Sequence, residues 1–269
     1  MLRLPAVAGQ FYPANPQELA NLVRQLAQQN PQKSKQRVKA CLVPHAGYAY
    51  SGSVAGAVFA QLEIPEKVIV LGVRHYPRGE NAAILSGGAW RTPLGDAPID
   101  TQLAQKCKDE CALLKEDAVA HSQEHSLEVQ LPFLQVLVSE SKFVPVALGT
   151  IRFEELQEVG EALSRVIVSS PEEILLLTTS DLNHYEDDIT THKKDAKAIG
   201  QLEAMDPRGL YETCRTESIS MCGLGPAVAM LFALRALGAT RAEMVLHATS
   251  AAVSGDYRRV VGYAGMIFD

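Results

Sequence analysis

The chain has 269 residues and a mass of 29.1 kDa, enough for one large α/β domain or somewhat under two of average size. With 47% hydrophobic and 21% charged residues it is neither disordered, collagen-like nor a coiled coil as a whole. Lys and Arg number 25 against 31 Asp and Glu, a net charge of −6 with pI ≈ 5.7, so no global basic field exists to hold phosphate backbones. No run of ~18 uncharged apolar residues is present to span a bilayer. A cytoplasmic protein with neither nucleic acid nor membrane as partner is expected. The five cysteines, at 41, 107, 111, 214 and 222, form no dense framework and are read as thiols.

The first element is a helix: Asn15 caps it, Pro16 takes the first position, Glu18 completes a capping box, and Leu19, Leu22, Val23 and Leu26 form one apolar stripe. Lys33, Lys35, Arg37 and Lys39 then form a basic run, expected to be a solvated loop. Strands are predicted over 38–43, 67–72, 81–86, 142–148, 173–179, 242–249 and 259–268, several too continuously apolar to have a wet face. Helices are predicted over 53–62, 101–113, 124–138, 153–168, 188–204, 207–215 and 226–237. This alternation over 1–269 implies one α/β domain, a three-layer α/β/α sandwich around a mostly parallel or mixed sheet. Ligands in such sheets bind beyond the carboxyl ends of strands.

Chemistry-bearing residues collect there. The 38–43 strand leads into Pro44-His45-Ala46-Gly47-Tyr48, the 67–72 strand into Val73-Arg74-His75, and the 173–179 strand into Ser180-Asp181-Leu182-Asn183-His184. One such histidine is more often a hydrogen-bonded loop residue, but three converging ones point to a metal or acid–base site. Asp181 could equally cap local backbone amides. Cys222 lies just before a helix start signalled by Pro226, where the dipole favours a thiolate suited to a nucleophile or a metal ligand, although a structural thiol is an equal reading. Cys41, Cys107, Cys111 and Cys214 read as core or helix-surface thiols.

The segment His121-Ser122-Gln123-Glu124-His125 matches the inverted zinc-peptidase pattern H-x-x-E-H, yet a helix starting near Glu124 would leave His121 outside it. No phosphate-binding glycine loop, G-x-S-x-G elbow or C-x-x-C pair occurs. Trp90, beside Arg91, lines a pocket or anchors local packing.

Taken together, Arg3-x-Pro5-Ala6-Val7-Ala8-Gly9-x-Phe11-Tyr12-Pro13, Pro44-His45-Ala46-Gly47-Tyr48, Gly72-x-x-His75, Glu124-His125-Ser126-Leu127-Glu128-x-Gln130-Leu131-Pro132-Phe133, Ser180-Asp181-Leu182-x-His184-Tyr185, Cys222-Gly223 and Val261-Gly262-Tyr263-Ala264 resemble the Memo family. Its prokaryotic members are also called AmmeMemoRadiSam system protein B. The family in turn resembles the class III extradiol non-haem iron dioxygenases in fold. The resemblance implies that His45, His75 and Cys222 stand at metal-ligand positions, that Asp181 and His184 line the same pocket, and that His125 is a further pocket histidine, these three being the catalytic candidates. A thiolate where the dioxygenases have a carboxylate suits copper(I) or zinc, while two imidazoles and an open position still admit iron(II). Val73 and Arg74 depart from the family's usual Gly-Pro-Ser/Asn-His form, and Arg74 would recruit an anionic substrate or pair with a surface acid. The expected activity is that of a metal-dependent oxidoreductase acting on a small molecule. The alternatives are a non-catalytic module binding a peptide or phosphate-like group in the same pocket, and a metal-dependent hydrolase. A homo-oligomer is compatible with either.

Overall fold

The computed structural model describes residues 1–28 and 35–269. In chain order the first elements are β1 (Leu2–Arg3), α1 (Pro16–Ala27), β2 (Ala40–Val43), α2 (Tyr48–Phe59), β3 (Lys67–Val73), β4 (Ala82–Ile84), β5 (Ala89–Thr92) and β6 (Gly95–Pro98). There follow α3 (Thr101–Glu110), β7 (Lys115–Glu116), α4 (Ala118–His121), α5 (His125–Glu128), α6 (Leu131–Leu137), β8 (Lys142–Leu148) and α7 (Phe153–Ser169). The last part holds β9 (Ile174–Thr179), β10 (His184–Glu186), α8 (Asp188–Glu203), α9 (Pro207–Thr216), α10 (Leu224–Ala236), β11 (Ala242–Thr249), α11 (Ala251–Ser254) and β12 (Val260–Phe268).

The main sheet is mixed, in the order β10-β12-β2-β9-β3-β8-β4-β7, with β11 on β12. Its centre, β2-β9-β3-β8, is parallel. All six residues of β9 and all four of β2 are buried, which explains the apolar runs Ile174–Leu177 and Ala40–Val43. Helices cover both faces. A Cβ on Gly265 would meet Val54 and Val58 of α2, whereas one on Gly262, on the opposite face of β12, would meet Asp195 of α8. Most of the buried apolar side chains form one connected cluster. Among the described residues no helix is long and apolar enough to cross a membrane.

The main elements agree with the sequence pattern, including α1, whose Asn15 side chain accepts from the amides of Gln17 and Glu18. Four differences have physical causes. The helix predicted over 53–62 begins at Tyr48, because Gly47 serves as N-cap directly after the His45 loop. The helix predicted over 124–138 is two short helices interrupted at Val129 and Gln130 ahead of Pro132, which sits in the first turn of the second. The helix predicted over 101–113 ends at Glu110, where Cys111 turns extended. Trp90, outside every predicted element, is fully buried in β5, where β1 pairs with β5 in register Arg3↔Trp90. Strands of two to four residues such as β1, β5 and β6 carry no readable periodicity. Within the basic run, Arg37 is exposed and bridges Glu63 and Glu173; Lys33 lies outside the described residues.

Candidate metal centre

Register builds the site. Val43 of β2 and Thr179 of β9 are direct partners, and Leu71 of β3 pairs with Thr178, so the residues following three adjacent parallel strands emerge side by side. They are His45, Asp181 and His75. A cavity of about 690 Å³ opens there, lined by these three with His125, His184 and Cys222, and rimmed by Phe11, Tyr50, Tyr185 and Val261.

The Nε2 of His45, the Cys222 Sγ and a ring nitrogen of His75 lie within 4.8 Å of one another, with His45 Nε2 at 3.1 Å from the sulfur. Each ring is held by its other nitrogen. His75 Nδ1 is 2.9 Å from Glu124 Oε1, and the second Glu124 oxygen accepts the His75 amide at 2.6 Å. Burial would raise the Glu124 pKa, but these bonds from His75 outweigh it and hold the carboxyl at about 2. An ionised carboxylate can only accept, so Nδ1 carries the proton and Nε2 presents a lone pair. His45 Nδ1 contacts the Thr179 hydroxyl at 2.7 Å, itself 3.3 Å from Gln130 Nε2. Two imidazole nitrogens and a sulfur form a donor set that borderline and soft first-row ions take, with outer partners already in place. These residues can hold a metal ion.

Desolvation first, and then the neighbouring histidines, lower His45 to about 3 and His125 to about 4, so both rings are neutral at physiological pH. His125 stacks on His75 at 4.5 Å between centroids and meets Phe11 edge-on at 4.9 Å. Asp181 is raised by burial, although the amide of His45 donates to it at 2.8 Å and that of Ala46 also does so. It therefore caps backbone amides and also lines the cavity. His184 Nδ1 sits 2.9 Å from the Ser220 carbonyl, an acceptor only, so Nδ1 carries a proton. α10 starts at Leu224, just after Cys222, yet burial and then the Asp181 carboxylate push the thiol pKa up. Cys41, Cys107, Cys111 and Cys214 are buried, and none lines this cavity.

Close approaches explain the motif glycines. A Cβ on Gly72 would meet Ser126 Oγ at 2.7 Å where α5 packs on β3, and one on Gly223 would meet Ser180 Cβ and the Thr179 carbonyl at 2.5 Å. Only glycine lets the Cys222 loop lie so close to the end of β9.

The Memo-like protein family model matches residues 3–267. The chain belongs to the Memo family. A MEMO1 family protein of Methanopyrus kandleri is 40% identical over 100% of this chain and 99% of its own length, and one of Aquifex aeolicus is 41% identical over 99% of each. The crystal structure of an uncharacterized protein from Escherichia coli K12 superposes with a TM-score of 0.58 at 13% identity, covering 86% of this chain and 100% of that one, a likeness of fold alone.

In this Memo family chain the motif Glu124-His125-Ser126-Leu127-Glu128-x-Gln130 acts as a scaffold. Glu124 orients His75, Ser126 donates to the Val73 carbonyl at 2.9 Å, and Gln130 donates to the Pro44 carbonyl at 2.9 Å. Glu128 is buried against Arg3 and accepts from the amides of Ala6 and Val7 and from Tyr12 Oη, docking the arm that brings Phe11 to the cavity. The H-x-x-E-H geometry is absent. His121 is fully buried in a different short helix, edge-on to Trp90 at 5.6 Å and away from the cavity, and Trp90 is a packing anchor. Arg74 meets neither expectation: its guanidinium donates to the Gly79 carbonyl and to Asn81 Oδ1, stitching its own loop together. Thr179 and Ser220 were not among the residues the sequence singled out, and Gln130 stood in the motif without a role. Thr178-Thr179 was the available signal, a polar pair ending a wholly buried strand.

Proposed function

We propose that this Memo family chain is a metal-dependent oxidoreductase with a dioxygenase-like α/β/α fold, acting on a small molecule held in the cavity at the strand ends. The observation that carries it is the convergence of His45, His75 and Cys222, with the His75 tautomer set by Glu124. These three residues would hold one ion, iron(II) or copper before zinc. When bound, iron or copper supplies a one-electron couple and an open coordination position, where zinc would supply Lewis acidity alone.

The remaining work falls to the chain's own groups. His125 and His184 present imidazoles that can accept a proton from an acidic hydroxyl of the substrate, and Asp181 orients the His45 loop through its amide bonds. Phe11, Tyr50 and Tyr185 offer apolar area at the rim to a planar ligand. Anaerobic purification, elemental analysis of the wild type and Cys222→Ser, and an oxygen-uptake screen test this reading. Iron or copper in the wild type, a lower content in the variant and oxygen uptake with a small molecule are expected. Equal occupancy in both proteins removes Cys222 from the site; ligand binding without turnover leaves a non-catalytic binding module in its place.

A further inference from the structure

A second set of donors faces the first across the same sulfur. A carboxylate oxygen of Asp181, a ring nitrogen of His184 and Cys222 Sγ also lie within 4.8 Å of one another. Cys222 belongs to both sets, and its sulfur lies between the His45 side of the cavity and the Asp181 side: 3.1 Å from His45 Nε2 and 3.2 Å from the Asp181 amide nitrogen.

Three further observations make this a built site. His184 is fixed at both ends of its residue, its amide donating to Ser220 Oγ at 2.8 Å and its Nδ1 to the Ser220 carbonyl at 2.9 Å, so the Nε2 lone pair is fixed in direction. Ser220 is anchored in turn by Asn183 Oδ1, which accepts from its amide and hydroxyl at 3.2 Å, and the Asn183 amide is held by the fully buried Asp195. Asp181 is only 5% exposed, and none of the described residues lining the cavity is a lysine or arginine. A buried carboxylate without a cationic side chain beside it is a place where a metal ion supplies the missing charge.

We infer that the cavity takes two divalent first-row cations at once, the second held by Asp181, His184 and a bridging Cys222 thiolate. The inference rests on the first-site assignment above. Binding displaces the thiol proton to solvent, and the thiolate sulfur then carries three lone pairs, two for the ions and one to accept the Asp181 amide. The first set offers N,N,S donors and the second N,O,S, so the second is the harder site and takes zinc, cobalt(II) or iron(II) in preference to copper(I). With His184 so engaged, His125 is the imidazole left for proton transfer.

The test uses the full chain freed of metal by a chelator and titrated with Zn²⁺. Bound zinc is counted after desalting in the wild type, His184→Ala, Asp181→Asn and His75→Ala, with circular dichroism confirming that each variant is folded. Expected are two equivalents in the wild type and one in each variant. Cobalt(II) provides an independent readout, because a thiolate-to-cobalt charge-transfer band should remain in both His184→Ala and His75→Ala. A wild type that stops at one equivalent, with His184→Ala unchanged and His75→Ala empty, overturns the second site and leaves the first. One equivalent that is lost in His184→Ala but kept in His75→Ala overturns both assignments. Two equivalents that persist in His184→Ala and Asp181→Asn place the second ion elsewhere and overturn this inference.

Discussion

His121 sits in the core without a partner for either ring nitrogen, fully buried and edge-on to Trp90. The Ala83 carbonyl is close enough to favour the charged form slightly but does not meet hydrogen-bond geometry. Burial, and next the Arg3 charge, lower its pKa from 6.5 to about 4. A histidine depressed in this way is neutral in the folded chain, while the unfolded chain takes up a proton below pH 6.5. Stability is therefore undiminished above that pH, falls as the pH drops towards 4, and has no more to lose from this residue below it. From those two pKa values the loss is about 2 kcal/mol at about pH 5 and close to zero at about pH 7.5. Other groups titrate over the same interval, so the measurement is a difference of differences: urea unfolding of the wild type and His121→Leu at both pH values. The variant should lose about 2 kcal/mol less between them. Its stability at neutral pH is not diagnostic, because removing two unpartnered nitrogens, each worth ~1–3 kcal/mol, is offset by imperfect packing of similar size. Parallel curves for the two proteins would refute the argument. Metal content should be the same in both, and its loss from His121→Leu would revive the H-x-x-E-H peptidase pattern.

Glu124→Gln keeps an acceptor near His75 Nδ1 but removes its charge, and metal affinity should fall by roughly 10–100-fold with the fold intact by circular dichroism; unchanged affinity would remove Glu124 from that role. Gly223→Ala places a Cβ 2.5 Å from Ser180 Cβ and the Thr179 carbonyl. It should cost ~1–3 kcal/mol in urea unfolding and weaken zinc binding through displacement of Cys222; wild-type values for both would show that the loop has room. Glu128→Gln leaves Arg3 buried without its counter-charge and should cost ~3–5 kcal/mol, a loss under ~1 kcal/mol contradicting the arm-docking role.

Much of the architecture could be read from the sequence because the parallel centre of the sheet is buried on both faces. Ile174–Leu177 of β9 and Val68–Leu71 of β3 are apolar runs with no alternation, which a solvated strand could not carry. Once those strands are placed, His45, His75 and Asp181 fall at their carboxyl ends by chain order alone. His184 follows the same strand as Asp181 and Cys222 precedes a helix start, and they reach the cavity from β10 and from the loop before α10. What could not be read depends on long-range packing. The pairing of Arg3 with Glu128 spans 125 positions, and no local pattern announces that Trp90 pairs with Arg3 across two short strands. The burial and the Asp181 carboxylate that raise the Cys222 thiol pKa are likewise products of long-range packing.

The same contrast separates the two acids of the Glu124–Glu128 segment. They stand four apart, and in one continuous helix they would lie on the same face and serve the same neighbour. Glu124 instead precedes the first turn of α5 as its N-cap, accepting the Ser126 amide at 2.8 Å with the carboxylate that also holds His75. Glu128 closes that turn and points to the N-terminal arm. Because Glu124 caps α5 with extended backbone, φ −73° and ψ 121°, and does not lie inside the helix, five residues tie the metal-site histidine, the end of β3 and the arm bearing Phe11 to one another. The N-cap geometry of Glu124 is therefore what lets two acids four positions apart hold His75 on one side and the Phe11 arm on the other.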